Sequence, residues 1–320
     1  MHIEYTASSN KLSNKSKNGD AFGVMEIKEE NLTLFVLADG VGGCVGDYKA
    51  SKTVVDTFLK HFSENNFLEN TKERIEKSIE AINNKVLSET GFYKGMKSTM
   101  VACVMDQNSS ILHFVGIGDS RLYRVNEKGV EILTQDQVKA VIRRKQDGTP
   151  IIQAGAILNA IGVTNLIGTS YLKYEVKSLE VNCTTSFLLA SDGFYNNLSA
   201  TSETLLNLHS SLDIKGSFQK IVNDIAQKQN DDATAVFFRV EKRDEENLLS
   251  KQRLVCQDLL MALESLNVEL TNKCLTYIEQ NKVEQTFEFY DSSIKKMKRS
   301  NFNDSEIYQR LISLLKKTRL

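Results

Sequence analysis

No stretch of this chain is apolar for the roughly 20 consecutive residues that a membrane-spanning helix needs, so the sequence offers none. Its start, MHIEYTASSNK, lacks the basic residues and apolar run of a signal peptide. These absences make the cytoplasm the expected compartment. Histidine is scarce, and His2, His61, His113 and His209 lie far apart, which disfavours a histidine zinc centre or a Ser–His–Asp triad. Cys44, Cys103, Cys183, Cys256 and Cys274 are equally scattered, with no CxxC pair. They read as reduced thiols, not as a disulfide framework or a zinc site. Cys44, just past a glycine cluster, reads as a small packing residue. With a net charge of −1, nothing global points to nucleic acid or an anionic membrane as a partner.

Hydrophobic patterning is abundant. AFGVMEIK (21–28) and LTLFVLAD (32–39) read as a hairpin across the Glu29–Asn31 turn. Residues 47–62 space Ala50, Val54, Phe58 and Phe62 four apart, as an amphipathic helix does. Residues 71–90 repeat that pattern with Ile75, Ile79, Ile82 and Val86. The strand-like runs STMVACVMD, SILHFVGIG, SRLYRV and GVEIL follow. After an irregular stretch at 134–170, which holds the only proline, come YLKYEVKSLEV, TSFLLASDG, a helix near 217–229 and DATAVFFRVEK. Grouped strands with grouped helices indicate a layered α+β domain over 1–241. Beyond about residue 242 glycine is absent and helical periodicity dominates, as in a small helical bundle over 242–320. Its basic end, with Lys295, Lys296, Lys298 and Arg299, reads as a solvated surface.

One stretch raises a chemical question. In LFVLADGVGG (34–43) an apolar run ends on Asp39 and then on glycines. A buried acid is costly unless its charge is matched, and Asp-Gly alone is a common turn pair. Similar acids recur at the ends of other strands: Asp20 in KNGDAF, Asp119 in VGIGDSRLYRV, Asp192 in FLLASDGF, and Asp231 and Asp232 in QNDDATAVFFRV. If these ends converge, the carboxylates repel one another unless hard cations hold them. An oxygen-only donor set suits Mg²⁺, Mn²⁺ or Ca²⁺.

The ordered set NGDAF, ADGVGG, GDSRLYR, LTQD, SDGF and DDAT resembles the metal-dependent protein serine/threonine phosphatases of the PPM, or type 2C, family in a bacterial form. The resemblance spans residues 1–241, about three quarters of the chain. It implies a four-layer α-β-β-α sandwich of two antiparallel sheets flanked by helices, with the helical region 242–320 as an appendage of unassigned role. It implies a dinuclear Mn²⁺ or Mg²⁺ centre at one end of the sandwich, where an activated water hydrolyses phosphoserine or phosphothreonine on proteins. Asp39 would bridge the metals, the Gly40 carbonyl would bind one, and Asp192 and Asp231 would complete the site. Asp20 would hold the waters, including the nucleophile. Asp119 with Asp192 would offer a third, weaker metal position, and residues 134–170 would form a flap. The implied partners are phosphorylated proteins and a serine/threonine kinase whose output the chain reverses, with neither nucleic acid nor membrane among them.

Four positions depart from the family pattern. Lys15 stands where an arginine usually grips the phosphate, and an ammonium cannot make the bidentate fork. Gly19 replaces a Glu or Gln, Asp232 replaces a common Asn, and Val41 stands where some eukaryotic members carry histidine. Asp232 could strengthen cation binding or simply sit in solvent. Lys15 and Gly19 also keep open a second class of function, a pseudophosphatase that binds partners without turnover. Ser98 and Thr99 are expected in a central strand, and Arg121 in a structural ion pair.

Overall fold

The computed structural model of the chain describes residues 1–42, 46–66, 70–89, 95–144, 150–163, 172–241, 245–280, 287–299 and 304–317. Cys44 lies outside them. The chain forms two compact units, Met1–Glu241 and Lys242–Leu320. The first opens with β1 (His2–Asn10), β2 (Asp20–Ile27), β3 (Leu32–Asp39), α1 (Asp47–Glu64), α2 (Thr71–Glu89), β4 (Met100–Asp106), β5 (Ile111–Ile117) and β6 (Arg121–Asn126). It continues with β7 (Gly129–Ile132), β8 (Val138–Arg144), β9 (Pro150–Ile157), β10 (Lys177–Glu180) and β11 (Thr185–Ala190). It closes with α3 (Asp192–Tyr195), α4 (Thr201–His209), α5 (Ile214–Lys228) and β12 (Ala233–Glu241).

Two antiparallel sheets, ordered β1-β12-β11-β6-β7 and β10-β5-β4-β3-β2, form the frame. The apolar run of β3 is explained by burial on both of its faces. Leu34, Val36 and Ala38 pack with Val54, Phe58 and Ile79 of α1 and α2. Phe35 and Leu37 face the other sheet and meet Phe187, Val236 and Phe238. On that sheet's far side, Leu188 and Phe237 pack against Phe218, Val222 and Ile225 of α5. The result is the expected α+β sandwich of four layers, helix, sheet, sheet, helix.

Between the two sheets Phe35 stacks on Phe238, with ring centroids 3.9 Å apart and planes 3° from parallel. Both rings are fully buried. Phe35→Ala is expected to destabilise this unit by about 3–5 kcal/mol, the cost of deleting a buried ring and leaving a cavity. Urea unfolding checks this, and an unchanged midpoint would contradict the inter-sheet packing.

Three expectations are corrected. The run YLKYEVKSLEV yields only the four-residue edge strand β10. Ahead of it, the Lys173 backbone is bound by a side chain: Lys173 N donates to Asn159 Oδ1 at 3.2 Å, and Asn159 Nδ2 donates to Lys173 O. Those groups are thereby withdrawn from a ladder. Ser98 and Thr99 precede β4 instead of lying within it, with Ser98 forming isolated bridges to Gly40 and Ile161. The irregular stretch at 134–170 contains, in its described part, the β8–β9 hairpin.

The second unit contains α6 (Glu245–Glu264), α7 (Val268–Gln280), α8 (Phe287–Arg299) and α9 (Ser305–Lys317). Val255, Leu259, Leu275, Tyr290, Ile307 and Leu311 form its own core. Part of its basic character is neutralised within the unit. Lys295 pairs with Asp291, Lys296 with Glu264, and Arg310 with Glu279. Among the described residues, no helix is long and apolar enough to cross a membrane.

Candidate functional site

The strand-end acids converge because the hairpin register sets Asp20 directly opposite Asp39, the first residue of β2 against the last of β3. The backbone of Asp39 is held on both sides. Its N–H donates to Thr99 Oγ1 at 3.0 Å, and its carbonyl accepts from Thr99 N at 2.8 Å and Ser98 Oγ at 2.9 Å. Thr99 Oγ1 is in turn 2.7 Å from Ser120 Oγ, beside Asp119. The buried hydroxyls of Ser98, Thr99 and Ser120 thus aim the site from below.

The carboxyl groups of Asp20 and Asp192 stand close enough to Asp39 for their charges to raise its pKa. Ser191 Oγ donates to Asp20 Oδ2 at 2.8 Å. Asp192 opens the short helix α3, and Asp231 stands just ahead of β12. Asp119 follows β5, and the hydroxyl of Tyr195 donates to its carbonyl at 3.1 Å. Asp20, Asp39, Asp119, Asp192 and Asp231 therefore fall into one electrostatically linked group. Lys15 joins it, with Nζ donating to Asp231 Oδ1 at 2.5 Å.

Gly40 lies against the start of α1, where a Cβ would come within 2.3 Å of the Asp47 carbonyl oxygen. No side chain fits there. Its N–H donates to Gly19 O at 3.0 Å, which ties the β2 and β3 ends together beyond the ladder.

Burial and mutual repulsion push these carboxyls up. Asp20 rises to about 7, first because it is desolvated and then because of the Asp232 charge. Asp39 lies well above its ordinary value, through burial and then the charges of Asp20, Asp192 and Asp119. Asp119 rises to about 6 through burial and the Asp192 charge. Asp192 rises through burial and the Asp231 charge. A carboxyl group raised on folding holds a proton that the unfolded chain releases, so stability falls as pH climbs from about 4 towards 7. In EDTA the melting temperature is expected to drop by about 5 °C or more between pH 5 and pH 7.5, and saturating Mn²⁺ is expected to abolish the drop. Thermal scans at several pH values check this, and a flat profile in EDTA would mean the acids do not burden one another.

The donor set is all oxygen, buried at Asp20 and half-buried at the other acids, and crowded with like charge, which fits hard divalent cations and not zinc or copper. Among the described residues, no group of three or more His, Cys, Asp or Glu side chains is arranged to hold a metal ion. Instead the charges of Asp20 and Asp192 press on Asp39, a repulsion that a cation's charge would relieve.

Two features were not legible in the sequence. Asp232 neither faces solvent nor stands free: it is 2% exposed and accepts bonds from Leu12 N, Gly19 N and Lys15 Nζ. Arg121 does form an ion pair, but its partner is Asp136 of the LTQD motif, reached by Nε at 3.1 Å and Nη2 at 2.7 Å. The same guanidinium lies 3.9 Å above the Tyr195 ring. Arg121 thereby braces the tyrosine that bonds to Asp119.

A two-sheet sandwich with helices outside and an acid cluster at its strand ends defines the architecture of bacterial metal-dependent phosphatases. The chain belongs to the protein phosphatase 2C family, whose model matches residues 9–235. A Streptococcus pyogenes protein named for the same 2C-type class is 28% identical over 158 residues, 46% of this chain. That match spans only 63% of the streptococcal protein. A Mycoplasma pneumoniae protein named as a protein phosphatase is 25% identical over 194 residues, 56% of this chain and 74% of its own. The fold is also that of the Mycobacterium tuberculosis serine/threonine phosphatase PstP/Ppp, with a TM-score of 0.60 and 20% identity over 75% of this chain and 99% of that one. The catalytic domain of PstP solved with two manganese ions gives 0.58 at 20% identity over the same shares.

Proposed function

We propose that the chain hydrolyses phosphoserine and phosphothreonine on proteins, with two Mn²⁺ or Mg²⁺ ions as cofactors. The observation that carries this reading is the gathering of Asp20, Asp119, Asp192 and Asp231 with Asp39 at the end of a doubly buried strand. Asp39, Asp192 and Asp231 are the side chains that would hold the ions, with the Gly40 carbonyl contributing to one of them. When bound, the ions supply Lewis acidity at the phosphate and lower the pKa of water. Asp20, fixed by Ser191, would order the attacking water and, as the carboxylate, accept its proton. Lys15 neutralises the substrate phosphate. Val41 offers no acid beside Gly40, so the leaving alcohol takes its proton from solvent. Two ions suffice for this reading, and the third position at Asp119 and Asp192 is not needed. The hairpin of β8 and β9, within residues 134–170, serves as the flap. The substrates would be phosphoproteins made by a serine/threonine kinase.

The test is phosphate release from a phosphothreonine peptide with Mn²⁺ and with EDTA. Turnover that needs the metal supports the reading. A second reading, a partner-binding module without turnover, draws on the engagement of Lys15 by two carboxylates. No release by the folded chain at any Mn²⁺ or Mg²⁺ concentration would favour that module.

A further inference from the structure

Lys15 and Gly19, two of the positions that depart from the family pattern, both bond to a third, Asp232. Asp232 Oδ2 accepts from Gly19 N at 2.7 Å and from Lys15 Nζ at 3.0 Å, while Oδ1 accepts from Leu12 N at 2.7 Å. A Cβ on Gly19 would come within 3.1 Å of Asp232 Oδ2. The missing side chain thus gives the carboxylate room to reach both ends of the loop from Leu12 to Gly19. That loop also closes on itself, with Lys15 N donating to Leu12 O at 3.0 Å and Lys11 Nζ to the same oxygen at 3.0 Å. The Lys15 side chain remains 35% exposed. An ammonium has three donors; Asp231 and Asp232 engage two, which leaves one for an incoming anion.

We propose that Asp232 is a positioning residue: it bolts the loop in place and holds the Lys15 ammonium at the site, so that Lys15, Gly19 and Asp232 form one phosphate-gripping unit. The substrate part of this inference rests on the phosphatase reading above. A free lysine side chain would lose rotamer entropy each time it met a phosphate. Pinned between two carboxylates, Lys15 has already lost much of it. The geometry thereby offsets part of what a lysine lacks against the fork of an arginine.

The test uses the full chain with Mn²⁺, comparing wild type, Asp232→Asn, Lys15→Met and the double variant. The readouts are KM and kcat on a phosphothreonine peptide, the Kd of inorganic phosphate by calorimetry, and amide exchange at Leu12 and Gly19. Asp232→Asn is isosteric but has one acceptor oxygen for two backbone donors. It is expected to raise KM and the phosphate Kd about tenfold, the scale of one charge-assisted hydrogen bond, to move kcat far less, and to speed exchange at Leu12 or Gly19. Lys15→Met is expected to weaken phosphate similarly while leaving that exchange unchanged. The double variant is expected to be no worse for phosphate than either single change. Phosphate binding unaffected by Asp232→Asn, or two effects that simply multiply, would overturn the unit. A wild type without turnover would count against the phosphatase reading alone, because phosphate binding and amide exchange still decide the positioning role.

Discussion

Asp39→Asn is expected to lower Mn²⁺-dependent phosphate release by about a thousandfold or more, since in the proposed reading several kcal/mol of metal-derived stabilisation would depend on that carboxylate. Loss of activity by itself is ambiguous, because a damaged fold would give the same result. The electrostatics of the cluster separate the two cases. Asp39 is pressed by the charges of Asp20, Asp192 and Asp119, so a neutral isostere removes repulsion from the metal-free chain. The variant is therefore expected to melt higher than wild type in EDTA at pH 7.5, and to gain less from added Mn²⁺. Phosphate-release assays and paired thermal scans check both halves. An Asp39→Asn chain that keeps more than about a tenth of the wild-type rate would remove Asp39 from the metal-holding set.

Gly193→Ala is expected to be nearly as damaging, by a different route. A Cβ there would sit 2.0 Å from the Asp232 carbonyl oxygen and 3.3 Å from the Asp231 Cβ. The first obstacle is backbone and cannot rotate away. Either α3 shifts, carrying Asp192 with it, or the Asp231–Asp232 turn does. The expected cost is about 3 kcal/mol or more, a fall of about 10 °C in melting temperature for a unit of this size, together with weaker Mn²⁺ binding. Gly42→Ala is the matched control, because a Cβ there meets nothing within 4 Å, and its expected effect is within about 0.5 kcal/mol. Equal melting temperatures for the two variants would contradict the close approach of α3 to β12.

What the sequence made legible was whatever depends on local pattern. Strand β3 announces itself by five apolar residues before an acid, and α1 by Ala50, Val54, Phe58 and Phe62 on one face. The acids themselves stand out because each interrupts a strong strand pattern. Strand β1 did not stand out. HIEYTASSN has no buried residue, since an edge strand owes its existence to a nine-residue register with β12 and not to its own hydrophobicity. The β8–β9 hairpin was passed over for a different reason: VKAVIRR and PIIQAGAI carry the β-branched residues of strands, but the proline and glycines of the surrounding stretch read as irregular. Around the site, the long-range polar partners were invisible. Nothing near Asp232 in the chain reveals that its acceptors serve Leu12 and Gly19, more than 200 residues away. Nor does GDSR indicate that its arginine will choose the acid of LTQD, although charge and proximity in sequence, 15 residues, were a usable clue.

The pairing of β1 with β12 also orders events in time. Among the described residues, β12 is the sole ladder partner of β1, and Asp231 and Asp232 come just before it. At about 5–20 residues per second on the ribosome, the first strand must wait on the order of ten seconds to a minute for its partner. During that interval Asp20 and Asp39 can already face each other in the nascent hairpin, but Asp231 and the anchor for the Leu12–Gly19 loop do not yet exist. Synthesis thus withholds a complete acid cluster until nearly all of Met1–Glu241 has been made, and a nascent chain cut short before β12 carries a half-site that cannot be finished.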